Sequence, residues 1–249
     1  MSFPIGLQLY TLREEMAQDF SGVLEEVAQI GYQGVEFAGY GGYSAPELKD
    51  LLDDLDLEAV GSHVPLEDLR EDLSEVLDFN RVIGNKNIVC PWAELHEEED
   101  FLQAAEEFQE IGKRCRENGF RFCYHNHNHE LVKFDQGRGL DLLFQNTDPE
   151  LLHAELDTFW IYYEKLDPVS YVRRYEDRTP LVHLKDMDSM ESKNFAPVGE
   201  GIIEFEPIIR AAEGTSVEWM IVEQDQTEGP ALESVRKSFE NLKEMGLGS

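Results

Sequence analysis

The chain has 249 residues with 52 Asp and Glu against 21 Lys and Arg, a formal net charge of −31. A surface this negative repels phosphate backbones and anionic lipid, which argues against nucleic-acid or membrane-surface partners. Hydrophobic residues at 41% and aromatics at 10% exclude a disordered chain, and the length allows two small domains or one large α/β unit.

Read along the chain, short apolar β-rich runs alternate with helical patterns. Strands are predicted at Ile5–Tyr10, Gly34–Phe37, Leu57–His63, Asn87–Cys90, Arg121–His125, His153–Leu156, Leu181–Lys185 and Trp219–Glu223. Phe20–Ile30, Glu97–Asn118 and Ala231–Met245 carry apolar stripes at helical spacing, and Gly31, Gly84, Gly119 and Gly246 stand where helix C-caps belong. Strand–helix repeated eight times over this length predicts one (β/α)8 TIM barrel spanning residues 1–249. The rival, a doubly wound open sheet, usually carries a Gly-rich phosphate turn after its first strand, and neither GxGxxG nor GxxxxGK[ST] occurs.

Cys90, Cys115 and Cys123 form no CxxC pair, which favours a reducing compartment over a disulfide framework. The first residues lack a basic region followed by a long apolar stretch, so a soluble cytoplasmic protein is expected.

In a barrel the C-terminal strand ends converge on the active site. Here they carry Tyr124-His125-Asn126-His127-Asn128-His129-Glu130, Glu155-Leu156-Asp157-Thr158, His183-Leu184-Lys185-Asp186 and Val222-Glu223-Gln224-Asp225, with Gln8, Glu36 and His63 at comparable places on earlier strands. His125 and His127 share one face of an extended segment, and clustered histidines suggest metal or proton-transfer chemistry. Asp157 reads equally well as a helix N-cap and as a site residue. Glu223, after the apolar Met220-Ile221-Val222, is costly to bury unless paired or coordinated. His183 after Leu181-Val182 raises the same question, although one backbone carbonyl satisfies a neutral imidazole. Together Glu130, Asp157, His183 and Glu223 supply three carboxylates and one imidazole from four consecutive strand ends. That oxygen-rich set suits one divalent ion, with Mn2+, Mg2+ or Co2+ expected ahead of Zn2+.

These stretches, with Gly6-Leu7-Gln8-Leu9-Tyr10-Thr11 and Pro197-Val198-Gly199-Glu200-Gly201, resemble the xylose isomerase-like TIM-barrel superfamily over almost the whole chain. Within it the chain looks like the sugar phosphate isomerases/epimerases and is also similar to the inosose dehydratases. The resemblance implies one divalent metal held by Glu130, Asp157, His183 and Glu223. His127 or His129 is the alternative to Glu130, which lies beyond its strand end. It also implies that the P-x-G-x-G segment walls the pocket, making Glu200 a pocket residue.

The implied reaction is isomerisation or epimerisation of a sugar or keto-sugar through an enediolate. Dehydration of an inosose or 3-keto-glycoside is the alternative, since it starts from the same proton abstraction. Glu130 and Glu223 are expected to flank the substrate as acid and base with His127, while His63, His125, Lys185, Gln8 and Glu200 are expected to bind it. Lys185 reads either as an oxyanion partner or as half of an ion pair with Asp186 or Glu155. No Arg cluster or Gly-rich cradle stands near these ends, so an unphosphorylated sugar or cyclitol is expected as the small-molecule partner. A homo-oligomer through an apolar patch stays open. A multi-zinc apurinic endonuclease is disfavoured by the charge, and a non-catalytic sugar-binding barrel by the presence of all four ligands.

The carboxylate excess, with Lys scarce beside it, leans toward adaptation to high salt. Screening of self-repulsion should therefore raise the melting temperature as NaCl is added. A melting temperature indifferent to salt contradicts this reading.

Overall fold

A computed structural model describes residues 3–248. Its first seven strands are β1 (Ile5–Gln8), β2 (Gly34–Phe37), β3 (Glu58–His63), β4 (Asn87–Cys90), β5 (Arg121–His125), β6 (His153–Asp157) and β7 (Leu181–Leu184). A two-stranded antiparallel ribbon follows, β8 (Asp186–Met187) with β9 (Phe195–Ala196), and then β10 (Trp219–Val222). Strands β1 to β7 and β10 pair in parallel and close into a barrel, with β10 between β7 and β1. Continuous burial, as in Ile5–Gln8 and Leu181–Leu184, is what a strand covered on both faces requires.

Amphipathic helices cover the outside. The helix Phe20–Ile30 starts where the Asp19 carboxylate accepts the Gly22 N–H at 3.0 Å and stops at Gly31, whose φ of 114° suits a glycine. The remaining predicted glycine stops, Gly84, Gly119 and Gly246, also have positive φ. The long helices run Glu98–Glu117 and Ala231–Glu244, within a residue of the expected limits at each end.

Five strand limits differ from expectation: β3 begins at Glu58 and β10 ends at Val222, each one residue inside its expected limit, and the other three have local causes. β1 stops at Gln8 because the Gln8 side chain accepts the Tyr10 N–H at 3.0 Å and caps a short 3-10 turn, Leu9–Leu12. β6 runs one residue further, to Asp157, before the helix Thr158–Tyr163. β7 ends at Leu184, and the chain turns at once into the β8–β9 ribbon, which the periodicity does not foretell because each strand has two residues. Asp186 ties that ribbon to the P-x-G-x-G segment: its carboxylate accepts the N–H groups of Gly199 (2.9 Å), Gly201 (2.9 Å) and Ile203 (3.1 Å). A Cβ at position 201 would collide with the Met187 carbonyl and the Asp186 carboxylate, so glycine is required there.

The barrel interior is layered. Val60, Val89, Cys123, Leu181 and Ile221 form a small apolar plug, separate from the large core between strands and helices. Alternation along each strand then places His125, His183 and Glu223 one step above Cys123, Leu181 and Ile221, toward the C-terminal mouth.

His153, at the opposite end of β6, has a buried Nδ1 with no hydrogen-bond partner. Burial, reinforced by Arg121 and Arg178, pushes its pKa down to about 4. The folded ring therefore binds fewer protons than the unfolded one, whose pKa is about 6.5, and stability is lost as pH falls between those values. In urea denaturation the parent should lose about 1–3 kcal/mol more than His153→Gln between pH 7 and pH 4.5. Parallel pH profiles would refute the assignment.

Candidate functional site

The mouth of the barrel is built from pairs of residues two apart on neighbouring strands: His125/His127 from β5, Glu155/Asp157 on β6, His183/Lys185 from β7 and Glu223/Asp225 after β10. The register sets His125 beside Glu155, and Asp157 beside His183. One ligand atom each from His125, Asp157, His183 and Glu223 lies within 4.8 Å of the others, and all four residues are buried. A second group, His63, His125, Glu155 and His183, overlaps it on the inner side.

The inner carboxylates orient the imidazoles. His125 Nδ1 donates to Glu155 Oε2 at 2.9 Å, leaving Nε2 3.6 Å from Asp157 Oδ2. His183 Nε2 lies 2.7 Å from Glu36 Oε2, and its Nδ1 faces Glu223 Oε2 at 2.9 Å. Carboxylates on the far nitrogens of metal-binding histidines commonly fix ring orientation in this way. His63 spans the two supports, with Nε2 at 2.7 Å from Glu155 Oε2 and 3.2 Å from Glu36 Oε2. Burial opposes its protonation, but Glu36 and Glu155 outweigh that and raise its pKa to about 10. Glu36 needs the glycine at position 61, where a Cβ would strike Glu36 Oε1.

Lys185 neutralises the outer side. Its side chain is 1% exposed, and Nζ lies 2.8 Å from Glu223 Oε2, 3.0 Å from Asp225 Oδ1 and 3.1 Å from Asp157 Oδ2. Trp160 and Phe195 present their rings to the same ammonium at 5.6 and 5.7 Å. Burial disfavours its charge, yet these carboxylates hold its pKa well above the usual lysine value. Burial likewise raises the Glu223 carboxyl, but Lys185 and His183 bring it well below the carboxylate range. Asp157 goes the other way: burial exceeds the pull of Lys185 and lifts its pKa to about 6.

Asp157 fulfils both of its expected roles at once. Oδ1 caps the helix Thr158–Tyr163 by accepting the N–H of Phe159 at 2.8 Å and of Trp160 at 3.3 Å. Oδ2 is buried and accepts no hydrogen bond, Lys185 lying close but outside hydrogen-bonding geometry. A mixed nitrogen and oxygen donor set with one such orphaned oxygen fits a divalent cation.

Other expected residues fall elsewhere. Glu130 stands apart from the group of four. It is buried in a short 3-10 turn, where Oε1 accepts from Tyr124 Oη (2.6 Å) and lies 3.0 Å from His129 Nε2, and Oε2 accepts the His127 N–H (2.8 Å). Its place beside Asp157 is taken by His125. Gln8 does not reach the cavity, because its amide donates to Glu36 Oε2 at 2.8 Å. Glu200 is exposed and pairs with Lys237 (3.0 Å) and Asn241 (3.2 Å), away from the mouth. Lys185 pairs with neither Asp186 nor Glu155. Sequence reasoning left Glu36 and Asp225 without roles and gave Glu155 only that of an ion-pair partner for Lys185, although a carboxylate inside the apolar Gly34-Val35-Glu36-Phe37 was a readable signal.

A cavity of about 840 Å3 opens onto this floor. His63, His125, His127, Lys185, Glu223 and Asp225 reach it from below. His127 is half-buried, and burial pushes its pKa to about 4, so it enters the cavity neutral.

Replacing Lys185 with Met leaves three carboxylates facing one another. In EDTA this variant should be less stable than the parent by about 3–5 kcal/mol, the cost of breaking a buried pair, and Mn2+ should restore part of the loss. A metal-free melting temperature within about 2 °C of the parent would contradict this.

The xylose isomerase-like TIM barrel family matches residues 24–245. An inosose dehydratase of Clostridium beijerinckii is 24% identical over 267 residues, covering 90% of this chain and 89% of that protein. A sugar phosphate isomerase/epimerase structure from Parabacteroides distasonis superposes with a TM-score of 0.84 at 25% identity, over 96% of this chain and 93% of that one. A D-allulose 3-epimerase from Methylomonas sp. shares the fold, with a TM-score of 0.73 at 15% identity over 98% of this chain and 100% of that one. The match over residues 24–245, in keeping with the closed parallel barrel, establishes that the chain belongs to the xylose isomerase-like TIM barrel family, and its relatives include inosose dehydratases.

Proposed function

We propose that the protein is a divalent-metal-dependent sugar or keto-sugar isomerase or epimerase that removes a proton next to a carbonyl. The observation carrying this reading is the buried group of His125, Asp157, His183 and Glu223 within 4.8 Å, opening onto a cavity of about 840 Å3. These four residues would hold the ion, with His125 in place of Glu130. A dication held there would polarise a substrate carbonyl and so acidify the adjacent C–H. Glu223, held ionised by Lys185 and His183, supplies the base. His127 enters the cavity from β5, three strands around the ring from β10, and in this reading passes a proton at the other side of the substrate. Lys185, which lines the cavity, would donate to the developing oxyanion. Gln8, Glu36 and Glu155 act behind this surface by fixing the imidazoles, while His63, which lines the cavity, spans Glu36 and Glu155.

Asp68 and Asp225 line the same cavity, and the one arginine there, Arg13, sits over the Tyr10 ring, which supports an uncharged sugar or cyclitol over a sugar phosphate. Dehydration is the second reading, favoured by the match to inosose dehydratases across 90% of the chain. It needs the same proton abstraction, followed by loss of a β-hydroxyl.

Incubating Mn2+-loaded protein with ketoses and inososes in D2O should place deuterium at the α-carbon. Glu223→Gln should reduce exchange by at least about a hundredfold while leaving circular dichroism unchanged. Exchange at the parental rate in Glu223→Gln would remove Glu223 from its role.

A further inference from the structure

The cavity is larger than a single sugar ring requires, and its chemistry changes with depth. The floor is ionic, whereas the outer walls carry Tyr10, Tyr40 and Trp92. Five large hydrophobic side chains are strongly exposed among the described residues, and two of them, Tyr10 at 44% and Trp92 at 49%, stand at this mouth. Exposed aromatic surface concentrated beside a polar pocket marks a binding surface.

Neither ring is loosely held. The Arg13 guanidinium lies 4.3 Å from the centre of the Tyr10 ring, and Arg13 Nη1 donates to the Tyr10 carbonyl at 2.9 Å. Trp92 packs against His129 at 5.8 Å, and His129 Nε2 is in turn 3.1 Å from the Ala93 carbonyl. Tyr10 follows β1 and Trp92 follows β4, three strands apart around the ring of eight, so they approach the mouth from different sides. Asp68 and Asp225 also line the cavity and disfavour an anionic ligand.

We propose that the outer cavity is a subsite for a second, uncharged ring, so that the substrate is a disaccharide or glycoside whose reacting sugar sits on the ionic floor and whose second unit stacks on Trp92 and Tyr10. This rests on the reading of the floor as the place where a sugar reacts. Ring faces of sugars are apolar and stack on aromatic side chains, while their edge hydroxyls suit the neighbouring polar groups.

The test is calorimetric titration of the Mn2+-loaded protein with glucose, galactose and myo-inositol, with cellobiose and lactose, and with the 4-nitrophenyl glycosides of both hexoses. At least one two-ring compound should bind about tenfold more tightly than its parent monosaccharide. Trp92→Ala should erase that advantage, Trp92→Phe should restore most of it, and monosaccharide affinity should stay unchanged in both. If monosaccharides bind and no two-ring compound binds better, or if the advantage survives in Trp92→Ala, the outer subsite is overturned while the sugar reading stands. If no carbohydrate in the panel binds, the sugar reading fails and the subsite fails with it.

Discussion

The mouth of this barrel depends on charge neutralisation in a place from which water is largely excluded. Glu36, Glu155, Asp157 and Glu223 are buried there, and Asp225 stands at the edge. Carboxylates packed this closely cannot all remain ionised without cations among them. The chain supplies Lys185 on the outer side and His63 with His183 on the inner side. Most of the local sequence follows from that need: the glycine at position 61 beside Glu36, the Gln8 amide on the same carboxylate, and Trp160 and Phe195 around the ammonium. A dication at Asp157, His183, Glu223 and His125 meets the same requirement, which is why a structure balanced by protons and one lysine suits metal-dependent chemistry.

The barrel was legible in the sequence because parallel strands buried on both faces leave short apolar runs that helical stripes cannot imitate. The helix Phe20–Ile30 was found to its ends, since Asp19 and Gly31 cap it with side-chain and backbone geometry that single residues dictate, whereas Ala45–Asp54 and Leu73–Ile83 were not marked. The β8–β9 ribbon escaped because two-residue strands carry no period. Within the site, Asp157, His183 and Glu223 were readable as polar residues ending apolar strands. Glu130 was misleading: its spacing suits a strand-end ligand, but the local 3-10 turn directs its carboxylate onto Tyr124, His129 and the His127 backbone. Closure of the barrel, and not chain proximity, brings Glu36 to His183 and Glu155 to His63 from strands three apart around the ring, and such long-range pairings leave no local pattern.

The net charge of −31 has two separate meanings in this fold. At the mouth a few carboxylates are paired and ordered, with pKa values driven apart by burial and by Lys185, Asp157 upward and Glu223 downward. Elsewhere acidic residues crowd exposed helix surfaces, such as Glu97–Asp100 at the start of the longest helix, where they are solvated and complement the helix N-terminus. Only the first set bears on the proposed chemistry. The cavity lining repeats this division, joining the buried His125 and Lys185 to the exposed rings of Tyr10 and Trp92.

Anomalous diffraction from crystals soaked in Mn2+ tests the assignment of the floor most directly. One strong peak should appear within coordination distance of His125, Asp157, His183 and Glu223, with Lys185 Nζ shifted away from Asp157 and Glu223. No peak in that group, or an ion held by Glu130 instead, would contradict it.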